Sequence, residues 1–136
     1  MSKVDKTRCG GRWTEARYRS FIKSNLRKGS TRWAPAQDAL KDAEVGRKIN
    51  KKTSRLAMHY LCAHCKDEFP RKEVSIDHIA PVIPVDVPWP GWEVVIDRMF
   101  VEKEGFQILC DCCHTVKSNN ETAQRAELKR KLKESN

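Results

Sequence analysis

Apolar positions change their period several times along this chain, and each change marks an element. Over residues 12–28, Tyr18, Phe21, Ile22 and Leu26 recur at spacings of three and four, while Arg12, Arg17, Arg19, Lys23 and Arg27 mostly take the other sides. That spacing draws one apolar stripe along a helix of 3.6-residue period. Gly29 ends it. A second helix is predicted from near Pro35, whose fixed φ suits a first helical turn, to a stop before Gly46. Residues 47–55 carry Arg47, Lys48, Lys51, Lys52 and Arg55 with little apolar content, and read as a basic connector.

From Leu56 the period shortens to two. Leu56, Met58 and Tyr60 alternate with polar or small residues toward Cys62, and Val74, Ile76 and His78 alternate in the same way. Two short strands are therefore predicted, the second delivering Asp77 and His78. Pro81, Pro84, Pro88 and Pro90 make residues 80–91 a loop. A short helix is expected over 92–100, with Trp92, Ile96 and Phe100 on one side, then a turn at Gly105 and a strand over 106–109. A last helix runs from Cys113 into a tail rich in Ala, Glu, Lys and Arg, helical where it packs and frayed at its end. Trp13, Trp33, Trp89 and Trp92 read as core or loop anchors rather than base-stacking platforms. The expected organisation is a basic helical extension, 1–55, followed by a mixed α+β core, 56–136.

Composition narrows the partners. The 136 residues suffice for one modest core, and six cysteines offer it a staple. A formal net charge of +9 and a pI near 9.4 favour a polyanion, nucleic acid first. No apolar run is long enough for a bilayer, and the polar, basic start has no signal-peptide core, which argues against a membrane protein. A cytoplasmic location is the expectation, and thiols there stay reduced, so paired cysteines read as metal ligands rather than disulfides.

Two knuckles stand out, Cys62-Ala-His-Cys65 and Cys110-Asp-Cys-Cys113. Each C-x2-C supplies two thiolates from one tight turn, and together they complete the tetrahedron that a structural Zn²⁺ takes. A redox pair is the alternative. Cys112 competes with Cys113, His64 is a possible substitute ligand, and Cys9 has no partner in the sequence. Between the knuckles lies Asp77-His78-Ile79-Ala80-Pro81, and directly after the second comes His114. A carboxylate and two imidazoles in this order suit phosphodiester hydrolysis, which needs an activated water, a cation on the phosphate and a stabilised leaving oxygen. Adjacent strand residues face opposite sides, so Asp77 and His78 need not share one task.

The order C-x2-C, D-H-I-x-P, apolar strand, C-x2-C-H-x2-K resembles the HNH, or ββα-metal, nucleases that carry a four-cysteine zinc site. The resemblance covers residues 56–120, about half the chain, and the run Arg12-Trp13-Thr14-Glu15-Ala16-Arg17-Tyr18 is more weakly similar to small HNH proteins of bacteriophages. The resemblance implies a ββα-metal core with a structural zinc on Cys62, Cys65, Cys110 and Cys113. It implies His78 as general base, and Asp77 and His114 as ligands of a catalytic Mg²⁺ or Mn²⁺. It further implies cleavage of double-stranded DNA, by nicking or by double-strand cutting through two copies, leaving 5′-phosphate and 3′-hydroxyl ends, in the host cytoplasm if the chain is phage-encoded. Arg47, Lys48, Lys51, Lys52, Arg55 and Lys117 are the candidate phosphate contacts, positioning the duplex without reading its bases.

One position departs from the family. Where many members have Asn, the run Gly105-Phe106-Gln107-Ile108-Leu109-Cys110 begins with Gly, which leaves open what orients His78. A backbone carbonyl would suffice, and Gln107, Asn119 and Asn120 are further candidates. Two rival functions remain at this level: a catalytically silent, zinc-stabilised DNA-binding module, and an accessory subunit of a phage DNA-processing or packaging machine. RNA cleavage is compatible with the same site chemistry. A second copy of the chain or another phage protein is the expected protein partner.

Overall fold

The computed structural model describes residues 3–135 and divides them into two compact units, ending and beginning at Trp33 and Ala34. The first unit is built on helix α1, Glu15–Ser30. Thr14 caps it: its side-chain oxygen accepts the Arg17 N–H at 3.2 Å, and Glu15 adds an acid to the first turn. No residue of α1 is buried. Order comes from side-chain stacking instead. Trp13 meets Phe21 edge-on at 5.3 Å, the Arg17 guanidinium lies 4.4 Å over Trp13, and that of Arg8 lies 3.9 Å over Tyr18.

The second unit is mixed α+β. Helix α2, Ala34–Asp42, buries Ala36, Ala39 and Leu40. Strands β1 (Glu44–Asn50), β2 (Arg55–Leu61) and β3 (Glu68–Pro70) form an antiparallel sheet in that order. Strands β4 (Val74–His78) and β5 (Phe106–Cys110) form a separate antiparallel ribbon. Helix α3, Trp92–Met99, lies in the insert between them, and helix α4, Asp111–Glu134, follows β5 without a break. The core is small. Leu40, Tyr60, Val74 and Ile108 meet at its centre, with Met58, Phe69 and Ile76 packed around them.

Strand β3 is not expected from the sequence, but strands β2, β4 and β5, the loop over 80–91 and the helices match the sequence pattern. The reading of residues 47–55 does not. These residues are not a connector within a helical extension: they form most of β1 and the turn into β2, paired in register from Arg47↔Met58 to Asn50↔Arg55. The compact units part at residue 33 rather than 55 for the same reason, because β1 cannot be separated from β2. A bulge at Val45 breaks the register between Glu44 and Gly46, and Gly46 takes φ 120°, a value costly for any residue with a Cβ.

Candidate functional site

The β4–β5 ribbon and the first turn of α4 organise the chemistry of this chain. Val74 pairs with Cys110 at one end of the ribbon and His78 with Phe106 at the other, so Cys110 and the Asp-His pair are held by one register.

At the Cys110 end, the sulfurs of Cys62, Cys65, Cys110 and Cys113 all lie within 4.8 Å of one another. Around a Zn²⁺ ion with bonds of about 2.3 Å, tetrahedral sulfurs stand about 3.8 Å apart. The Cys65–Cys110 separation is 4.0 Å, so the set fits a structural metal such as zinc. Backbone geometry prepares it. The Ala63 N–H donates to the Ile108 carbonyl at 2.8 Å, which ties the first knuckle to β5. Cys62 Sγ accepts the Cys110 N–H at 3.4 Å, and Cys110 Sγ, the N-cap of α4, accepts the Cys113 N–H at 3.5 Å.

Charge explains why the four thiols need a cation. Burial pushes the Cys62 thiol up, but N–H donors of Cys110, Cys65 and His64 outweigh it and bring the pKa down to about 6. Burial and the surrounding sulfurs push Cys113 up to about 12. Cys65 is also raised: burial and the bonds to Cys62 and Cys110 overcome the favourable Asp67 N–H. One thiolate, Cys62, is welcome among four sulfurs this close, and a nearby cation would favour deprotonation of Cys65 and Cys113. Cys112 is exposed and outside the cluster, and His64 is exposed as well. The competing ligands considered from sequence are thus set aside by geometry.

Toward the other end, Asp77 is buried and faces Gln107 across the ribbon. Gln107 Nε2 donates to Asp77 Oδ2 at 2.9 Å. The Lys117 ammonium, from α4, lies 3.2 Å from Oδ2 and 3.5 Å from Oδ1, and donates to the His78 carbonyl at 3.0 Å. It also pairs with Glu121 one turn on. Burial lowers the Lys117 pKa, but Glu121 and Asp77 outweigh it and leave the group raised, hence charged. On the open side of Asp77, Oδ1 stands 3.8 Å from His114 Nε2.

That pair can share a cation. Atoms bound at about 2.1 Å to a six-coordinate ion are about 3 Å apart when adjacent and about 4.2 Å when opposite. The observed 3.8 Å falls between these limits, and a carboxylate oxygen with an imidazole nitrogen is a donor set for Mg²⁺, Mn²⁺ or Zn²⁺.

His78 is placed differently. Its ring lies 4.8 Å from that of Phe106, its partner across the ribbon, and so on the other face from Gln107 and Asp77. Its Nε2 is 2.8 Å from the Met99 carbonyl oxygen at the end of α3. A carbonyl only accepts, so Nε2 carries the proton and Nδ1 of the neutral ring is left as a base. The partner of His78 is therefore a backbone carbonyl, while Gln107, weighed from sequence for that task, holds Asp77.

Gly105 contributes shape rather than a side chain. Its carbonyl accepts the Ile79 N–H at 3.0 Å, directly after His78. A Cβ built there would lie 2.5 Å from Val101 Cγ2, so the position has no room for the family's Asn as the chain now packs. Lys117 is turned inward on Asp77, a contact the sequence did not suggest. Arg47, Lys48, Lys51, Lys52 and Arg55 lie on the β1–β2 hairpin, brought together by its turn. Sequence reasoning also missed Glu121 and the Met99 carbonyl. The Lys117–Glu121 spacing of four was the only available signal for the first, and nothing local marks the second.

Comparison with protein-family models, with curated proteins and with solved structures finds no match to this chain. Among the described residues no helix is long and apolar enough to cross a membrane.

Proposed function

We propose that this chain is a divalent-metal-dependent DNA endonuclease of the HNH type, with a zinc on the four cysteines serving structure alone. One observation carries the reading. Asp77 Oδ1 and His114 Nε2 converge 3.8 Å apart, while Gln107 and Lys117 fix the carboxylate from behind. Asp77 and His114 would hold the Mg²⁺ or Mn²⁺, which when bound supplies positive charge to the scissile phosphate and the departing oxygen. Residues of the chain do the rest. His78, proton on Nε2 and anchored to the Met99 carbonyl, presents Nδ1 to take a proton from the attacking water. Gln107 keeps Asp77 from rotating away from His114. Lys117 links that carboxylate to the backbone of the residue carrying the base, so the two functions move together.

Supercoiled-plasmid nicking by wild type and by His78→Ala, each with Mg²⁺, with Mn²⁺ and with EDTA, tests the reading. Cation-dependent nicking by wild type, reduced about 10²–10⁴-fold in His78→Ala, is expected. No nicking by wild type, alongside salt-sensitive DNA binding and a bound zinc, leaves a DNA-binding module in its place.

A further inference from the structure

We propose that the β1–β2 hairpin is an arm that docks in the major groove of duplex DNA, with Ile49 and Leu56 against the bases. The choice of DNA as the polyanion rests on the nuclease reading; the surface itself is read from the fold. One face of β2 carries Leu56, Met58 and Tyr60. Tyr60 is buried at the centre of the core and Met58 packs beside it. Leu56 is 63% exposed, and its partner across the ribbon, Ile49, is 58% exposed. The core face of the hairpin thus runs past the end of the core, and its last apolar pair overhangs into solvent. No packing within the unit accounts for two branched aliphatic residues there.

Charge surrounds that pair. Lys48 and Lys52 have acidic partners, Glu68 and Glu73. Arg47, on the same face as Ile49, Lys51 in the turn, and Arg55 are exposed and have no carboxylate partner among the described residues. Cations without counter-charges around an apolar tip match a groove, where phosphates flank base edges. The tip is also ordered before binding. Asn50 Oδ1 accepts the Lys52 N–H at 2.9 Å, its carbonyl accepts the Ser54 N–H at 2.7 Å, and Thr53 Oγ1 accepts the Arg55 N–H at 3.3 Å. Ser54 takes φ 60° to close the turn. Little ordering cost then remains for the encounter. A major groove about 12 Å wide admits a two-stranded ribbon, whereas a B-form minor groove of about 6 Å does not.

The test is anisotropy titration of labelled 25-base-pair DNA and RNA duplexes with the full chain, without added divalent ion, over a range of salt. Arg47→Ala/Lys51→Ala/Arg55→Ala is expected to weaken DNA binding about 10–100-fold and to flatten the salt slope by about 2–3. Ile49→Ser/Leu56→Ser is expected to weaken it about 5–20-fold with the slope unchanged. The latter change should not affect RNA duplex binding, because the deep, narrow major groove of A-form RNA excludes the ribbon. All substituted positions are exposed, and unchanged circular dichroism and zinc content verify folding. Wild-type DNA affinity in both variants overturns the arm. An equal loss on RNA overturns groove entry. Loss of binding to phosphatidylserine vesicles, or of self-association in ultracentrifugation, with DNA affinity intact, assigns the surface to lipid or to a second copy and also overturns it. Nicking by wild type is scored separately. Nicking with no effect of either variant sinks the arm alone, and ribbon-dependent binding without nicking sinks the nuclease alone.

Discussion

The cysteine cluster, through Cys110 and Cys113, and the Asp77–His114 pair share one ribbon and one helical turn, yet they are built on opposite plans. The cluster is closed: four like ligands, two of them buried, each oriented by neighbouring backbone or sulfur. Asp77 and His114 bring together only one carboxylate and one imidazole, one buried and the other 39% exposed, with a lysine already against the carboxylate. A full ligand set binds once and holds a fold together. A partial one leaves coordination positions to water and substrate. On the function proposed above, the contrast would separate a cation that builds the protein from one that works on its surface.

The largest expected effect comes from breaking the closed site. Cys110→Ser removes one of the four ligands while keeping an oxygen to cap α4 and the backbone N–H that Cys62 Sγ accepts. Zinc content measured by atomic emission should fall to background, and cooperative thermal melting should disappear, since structural zinc contributes apparent energies of roughly 10–16 kcal/mol in small zinc domains. Retained cooperative melting without metal would show that the small core suffices alone.

Breaking the open site should spare the fold. Asp77→Ala leaves Gln107 without its acceptor and Lys117 with Glu121 and the His78 carbonyl only. A stability loss of about 1–3 kcal/mol is expected in urea melts. Mn²⁺ binding followed by electron paramagnetic resonance should vanish while zinc stays stoichiometric. Loss of zinc in this variant would mean that the two sites are not independent.

A change confined to stability tests the packing beside His78. Gly105→Ala is expected to cost about 1–3 kcal/mol through overpacking on Val101, and Val101→Ala in the same chain should recover part of it. Equal stability of Gly105→Ala and wild type would contradict the close approach.

Least of all, Glu121→Gln should change stability by less than about 1 kcal/mol, as expected for an i,i+4 helix pair whose lysine keeps Asp77 and the His78 carbonyl as partners. With Glu121 neutral, the Lys117 ammonium leans further on Asp77, and Mn²⁺ affinity should fall a few-fold. Tunable affinity at one site and all-or-none occupancy at the other is the sharpest form of the contrast.

Much of this was legible in the sequence because it is local. The alternation around Asp77, the proline-rich loop and the two knuckles each declare themselves within a few residues. Strand β1 did not, for a physical reason: it is an edge strand with most of its residues exposed, so it shows no alternation of apolar and polar positions, and its Lys and Arg content reads as a linker. Strand β3 is three residues ending in Pro70, too short for any period. The partners of Asp77 were hidden by distance, since Gln107 and Lys117 lie 30 and 40 residues away. The carbonyl that holds His78 was anticipated as a kind of group, but no residue type could identify it as that of Met99.

Helix α4 has no buried residue, and it is held to the unit by a row of polar contacts from Cys113, His114, Lys117 and Arg125, the last donating to the Ile83 carbonyl at 2.6 Å. Each turn holds 3.6 residues, so one residue inserted after Cys113 swings everything beyond it by about 100°. His114 would leave Asp77, and Lys117 would leave the His78 carbonyl, with no change in the helix itself. The length of this segment is therefore fixed more tightly than its composition, and viable variants of this chain should differ there by substitution and never by insertion or deletion.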